Sequence, residues 1–187
     1  ENVKPEYQMT GYPVSSFYGD DQGNLWIGTK GGGIIKYNGR QSSGGGLGGQ
    51  SGSFTHITEI NGLTNNHVFQ ISGDKAGGIW VGTDGGGACH YSGDAFITYT
   101  QFNGLSGNVI MSVQEDVLGK IWIGTFGNGL SKYDPLNNSF TTDFSKSGFN
   151  GKYIYAITED ISGNLWIGTH RDGLYKYDGS KFTRYST

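Results

Sequence analysis

At 187 residues and 20.1 kDa the chain is long enough for one domain with a core of its own. Thirteen basic against 16 acidic residues, a net charge of −3, argue against a nucleic-acid or anionic-membrane surface, and no apolar run approaches the roughly 20 residues that span a bilayer. The one cysteine, Cys89, excludes an intrachain disulfide and reads as core filler, while 35 Gly beside 12 Tyr, 10 Phe and 4 Trp point to tight turns between short strands.

In chain order, a leader, Glu1–Gly11, precedes a first unit over about 12–58. That unit carries Asp20, Gly23, the run Asn24-Leu25-Trp26-Ile27-Gly28-Thr29, then Gly33 and Tyr37. A Gly/Ser-rich stretch, Ser42–Gly52, interrupts it and reads as a solvated hairpin loop with linker-like composition. The pattern returns over about 66–102 with Asp74, Gly77, Ile79-Trp80-Val81-Gly82-Thr83, Gly87 and Tyr91. It returns over about 108–144 with Asp116, Gly119, Ile121-Trp122-Ile123-Gly124-Thr125, Gly129 and Tyr133. The fourth copy, about 152–187, has Asp160, Gly163, Leu165-Trp166-Ile167-Gly168-Thr169, Gly173 and Tyr177. The tryptophans lie 54, 42 and 44 residues apart, the first interval lengthened by the insertion. Intervals of about 40–50 residues are those of a four-stranded propeller blade.

Each unit reads as four strands, as the third shows. Ile110–Glu115 alternates, with Met111, Val113 and Glu115 on one face and Ile110, Ser112 and Gln114 on the other. Asp116 to Lys120 is a turn, in which Asp bonds its own backbone and Gly119 supplies positive φ. Ile121–Thr125, Leu130–Tyr133 and Phe140–Phe144 follow as strands, and no segment has a 3.6-residue apolar period. A single four-stranded sheet cannot bury both faces, so identical sheets must stack, and radial stacking leaves only short edges. The expected fold is therefore all-β, a β-propeller of four four-stranded antiparallel blades. It is either a closed four-bladed ring or part of a larger ring completed by other chains, with the leader or an edge strand pairing against a neighbour. Trp26, Trp80, Trp122 and Trp166 read as packing between blades, and Asp20, Asp74, Asp116 and Asp160 as turn caps.

These residues resemble the two-component regulator propeller repeat, whose core is E-D-x-x-G-N-L-W-I-G-T; Glu159 to Thr169 matches it almost letter for letter. Gly62-Leu63, Gly104-Leu105 and Gly148-Phe149 resemble that repeat's lead-in. The resemblance implies a sensor propeller of the kind found in bacterial hybrid histidine kinases. Such a module is periplasmic or extracellular, after removal of any signal peptide, and often responds to oligosaccharides.

Chemistry is sparse. The four histidines show no metal-ligand spacing, and no P-loop, nucleophile elbow or catalytic carboxylate pair is present. The reading is of a module with no catalytic residues, metal or cofactor. His90 takes the place of Lys36, Lys132 and Lys176, read as an exposed polar position. Departure from the repeat is the better signal. After the WIGT-type strand, three units continue Lys30-Gly31-Gly32, Asp84-Gly85-Gly86 and Phe126-Gly127-Asn128, whereas the fourth reads His170-Arg171-Asp172. Binding residues concentrate on loops held by a rigid scaffold. His170, Arg171 and Asp172, with Phe126, Lys30 and Asp84 from the equivalent turns, are the candidate ligand contacts.

The leading expectation is thus a non-catalytic sensory or ligand-binding module for an oligosaccharide or other polar ligand. The alternatives are a structural subunit that self-assembles into an oligomer or filament and, behind it, a propeller-type lyase or hydrolase.

Overall fold

Two turn chemistries, each repeated four times, shape the chain. In the first, the peptide N–H of Asp20, Asp74, Asp116 and Asp160 donates to the carbonyl four residues on, and a glycine at positive φ (Gly23, Gly77, Gly119, Gly163) closes the turn. In the second, the threonine ending each Trp strand donates Oγ1–H to the carbonyl of Gly33, Gly87, Gly129 or Gly173, which fixes the next reversal.

The computed structural model describes residues 11–39 and 52–186, so the expectations for the leader and the Ser42–Gly52 insertion fall outside the described residues except at Gly11 and Gly52. The first sheet is β1 (Val14–Gly19), β2 (Asn24–Thr29), β3 (Ile34–Asn38) and β4 (Ser53–Ile57). The second is β5 (Val68–Gly73), β6 (Ile79–Thr83), β7 (Ala88–Tyr91) and β8 (Phe96–Tyr99). The third is β9 (Ile110–Glu115), β10 (Ile121–Thr125), β11 (Leu130–Asp134) and β12 (Ser139–Thr141). The fourth is β13 (Ile154–Glu159), β14 (Leu165–Thr169), β15 (Leu174–Tyr177) and β16 (Phe182–Tyr185). Every sheet is an antiparallel meander in sequence order. The fourth strand of the third sheet is shorter than the expected Phe140–Phe144. Asp143 caps the backbone N–H of Ser145 and starts a 3₁₀ turn, which ends the strand early.

The first strands β1, β5, β9 and β13 pack against one another in succession and form the inner edge of an arc of blades. The hydrophobic core lies between the sheets, in three separate clusters. Trp26 and Ile34 of the first blade meet Val68, Ile71, Ile79 and Val81 of the second. Trp80 and Ala88 meet Ile110, Val113, Ile121 and Ile123 of the third. Trp122 and Leu130 meet Ile154, Ile157, Leu165 and Ile167 of the fourth. The same positions recur, so each of the two middle sheets gives one face to the joint before it and the other to the joint after it.

Three expectations change. Ile110 and Val113 were expected on opposite faces, yet both pack on Trp80. A β-bulge at Met111 sets two residues against one of the partner strand, with Ile110 opposite Thr125 and Ser112 opposite Gly124, and the alternation slips there. The same bulge falls at Ser15, Phe69 and Tyr155. Trp166, expected between blades, is only half-buried, since no further sheet packs on that face among the described residues. A closed four-bladed ring is not formed, since no packing like that between successive first strands joins β13 to β1 among the described residues.

Candidate functional site

The repeated aspartates do more than cap turns. Besides the peptide N–H groups two and four residues on, each accepts the indole N–H of its own tryptophan, at 2.8 Å for Asp20–Trp26, 3.0 Å for Asp74–Trp80, 2.7 Å for Asp116–Trp122 and 2.9 Å for Asp160–Trp166. A polar atom of the ring that fills the joint is thereby satisfied by the turn that begins the strand. The Trp166 indole and the Asn164 amide hold the Asp160 carboxyl well below the usual carboxylate range. Burial pushes Asp20 up, but its bonds from Trp26 and Asn24 outweigh that and leave it lowered.

A lysine lies over the tryptophan in three blades, with Lys36, Lys132 and Lys176 at 4.7, 5.4 and 5.6 Å from the ring centroids. The second blade departs from this. His90 is not the exposed residue its lysine counterparts suggested; its ring stacks on Trp80 at 4.6 Å and its Nε2 lies 2.7 Å from Asp74 Oδ2. The His90 bond, then that from the Gly78 N–H, lowers the Asp74 pKa against the opposing effect of burial. Gly78 makes this possible, because a Cβ there would run into the His90 ring and the Asp74 carboxylate. Where the other blades have Asn24, Lys120 and Asn164 the histidine would not fit. The pair lines a cleft of about 540 Å³ between the second and third blades, with Lys75, Tyr99 and Glu115.

The six candidate ligand contacts sit at one end of their sheets, but the structure does not gather them into one site. The peptide N–H groups of Lys30, Asp84, Phe126 and His170 donate to the carbonyls of Pro13, His67, Val109 and Tyr153, just before the first strand of each blade. Between the first and second blades Lys30 forms a β-bridge with His67, whose Nδ1 is 3.5 Å from Asp84 Oδ2 and whose ring lies against Phe69. Between the third and fourth blades Phe126 forms the same bridge with Tyr153 and packs edge-on against it at 5.0 Å and against Tyr155 at 6.1 Å. His170 completes this group, 5.8 Å from Tyr155 and 6.3 Å from Tyr153. Phe126, Tyr153 and Tyr155 are each about two-fifths exposed, and His170 is exposed, so the group is an open aromatic platform. Arg171 stands beside it with φ of +74°, where the other blades have Gly31, Gly85 and Gly127. Asp172 turns away to Arg184, whose Nε donates to its carbonyl at 2.6 Å.

Sequence reasoning missed Tyr153, Tyr155, His67 and Phe69. Their signal is present: 13 and 11 residues before each Trp the repeat varies freely (Pro13, His67, Val109, Tyr153; Ser15, Phe69, Met111, Tyr155), while the residue between is always Val or Ile. Tyr155 and Phe69 are the bulged residues, and a bulge re-aims a side chain that regular pleating would direct elsewhere. Among the described residues no group of three or more His, Cys, Asp or Glu converges as metal ligands would.

Four antiparallel sheets packed by successive inner strands around interblade tryptophans define a β-propeller. The family model described as two component regulator propeller matches residues 8–31, 62–85, 104–127 and 148–171, together just over half of the chain. The chain belongs to that family. It is similar to the extracellular domain of a putative hybrid two component system from B. thetaiotaomicron, at 28% identity and TM-score 0.78 over 94% of this chain and 23% of that one. It therefore spans about a quarter of that domain. Its fold is also similar to virginiamycin B lyase from Staphylococcus aureus (17% identity, TM-score 0.70, 100% of this chain and 58% of that one). PorZ, a surface component of the type-IX secretion system of Porphyromonas gingivalis, is similar at 16% identity and TM-score 0.62 over 92% of this chain and 27% of that one. No curated protein sequence matches the chain significantly.

Proposed function

We propose that this chain is a non-catalytic, ligand-recognising part of an exported bacterial sensor, and that its ligand seats on the platform of Phe126, Tyr153, Tyr155 and His170. The observation that carries this is the convergence of four exposed rings from two blades at the loop end of the sheets. Exposed aromatic clusters on a rigid scaffold characterise binding surfaces rather than cores. Family membership and the extracellular neighbour support the sensory role and the location outside the cytoplasm.

An oligosaccharide suits the platform chemically. The electron-rich ring faces attract the C–H faces of a sugar, and His170 and Arg171 offer donors for its hydroxyls. A glycan array on the purified chain, followed by calorimetry on any hit, tests the reading. Tyr155→Ala, and separately His170→Ala with Arg171→Ala, should each weaken binding about tenfold, the equivalent of about 1.4 kcal/mol, with unchanged circular dichroism. Absence of binding to any oligosaccharide sinks the ligand class, and unchanged affinity in both variants sinks the site.

A further inference from the structure

The two ends of the arc carry the two halves of the joint that recurs inside it. At each internal joint the following blade contributes four apolar positions, two on its first strand and two on its second. The last of them (Val81, Ile123 and Ile167, with Ile27 in the first blade) is buried in all four blades, and the other three set the first blade apart. In blades two to four these are Val68, Ile71 and Ile79; Ile110, Val113 and Ile121; Ile154, Ile157 and Leu165, none more than 5% exposed. Their first-blade counterparts Val14, Phe17 and Leu25 are 41%, 63% and 36% exposed. The preceding blade contributes its tryptophan, the glycine two residues on, and an apolar residue on its third strand. Ile34, Ala88 and Leu130 at this last position are no more than 2% exposed, whereas Leu174 of the fourth blade is 38% exposed and Trp166 only half-buried.

The fit between the halves is specific. The glycine after each Trp is the socket for the first apolar residue of the next blade: a Cβ at Gly28 would meet Val68, one at Gly82 Ile110, and one at Gly124 Ile154. At Gly168 a Cβ would touch only Ala156 of its own blade, so that socket is open. Backbone donors tell the same story. Gly33, Gly87 and Gly129 donate their N–H to the carbonyls of Asn66, Asn108 and Lys152 on the next blade, at 2.8–2.9 Å. Gly173, the fourth-blade equivalent, has no such acceptor among the described residues. The residue in the acceptor's place on the first blade is Tyr12.

We propose that the exposed face of the fourth blade docks the exposed face of the first blade of a second copy of this chain, head to tail. Val14 enters the Gly168 socket, Phe17 and Leu25 cover Trp166 and Leu174, and the Gly173 N–H reaches the Tyr12 carbonyl. The occupant is argued from the internal joints, since the first blade presents the same residue types in the same order that close each of them. Such a contact is heterologous, so it closes as a ring if the rotation allows and grows as an open assembly if not. It is independent of the ligand reading and uses no residue of the aromatic platform.

Light scattering and sedimentation velocity over a wide concentration range test it. The chain should exceed 20.1 kDa as concentration rises. Phe17→Asp and Leu174→Asp should each remain monomeric, because each spoils one half-joint. Mixed in equal amounts they should form a species of twice the monomer mass and nothing larger, because one intact joint remains between them. Gly168→Leu, which plugs the socket from an open surface, replaces Leu174→Asp if thermal melting shows that variant unfolded. A wild-type chain fixed at 20.1 kDa at its solubility limit overturns the proposal. So does either single variant assembling like wild type, or a mixture that stays monomeric.

Discussion

Asp116→Ala separates the two roles of the repeated aspartate most sharply. Asp116 is 7% exposed and Trp122 is 1% exposed, so their 2.7 Å bond is out of water. The other carboxylate oxygen accepts from the N–H groups of Leu118 and Lys120 at 2.9 and 2.8 Å. Alanine leaves a buried indole donor without a partner, which costs about 1–3 kcal/mol. It also removes a turn cap, for about 1 kcal/mol more by analogy with helix caps. We expect a loss of about 3 kcal/mol, or roughly 6–12 °C in Tm for a chain of this size. Asp178→Ala is the control. Asp178 also caps a turn, accepting from the N–H groups of Ser180 and Lys181, but it is exposed and meets no tryptophan. Urea unfolding followed by circular dichroism and tryptophan fluorescence should find the Asp116 variant markedly the less stable. Equal losses in the two variants would mean that the indole bond contributes nothing and that the aspartate is a turn cap alone.

Gly78→Asn should destabilise the second blade by displacing His90 from Asp74, and adding His90→Lys should recover much of the loss, a coupling that a double-mutant cycle of melting temperatures reads directly. Arg171→Gly should raise Tm, because it relieves a non-glycine residue at φ of +74° worth about 1 kcal/mol or more, while lowering affinity for any ligand of the neighbouring platform. Asp20, Asp74 and Asp160 are all held below the ordinary carboxylate value in the folded chain. The folded state therefore binds fewer protons than the unfolded one, so their contribution is complete above about pH 4 and is lost as pH falls further. Tm measured from pH 6 downward should drop below about pH 4, and a profile flat to pH 2 would contradict these bonds.

Much of the fold is legible in the residues because it is written four times. Asp, Gly, Trp and Thr at fixed offsets are local turn and strand chemistry, and local chemistry acts identically wherever the motif occurs. Less of the candidate site can be read. His170 and Phe126 stand out as departures at one turn position, but Tyr153 and Tyr155 lie elsewhere in the repeat, on the fourth blade's lead-in and first strand. A bulge, which simple alternation does not foresee, aims Tyr155 at the same place. His90 misleads for a related reason: its environment depends on Gly78, 12 residues away in sequence but just before the neighbouring strand β6.

The sequence by itself determined that this protein is a chain of four propeller blades and which residues each blade turns and packs with. Tertiary structure alone decided how the equivalent positions differ. Trp26, Trp80 and Trp122 are sealed in joints while Trp166 lies half-open, and Val68 is buried while Val14 is not. The repeat cannot encode that difference, because burial in a propeller comes from the blade next door and not from the residue or its own sheet.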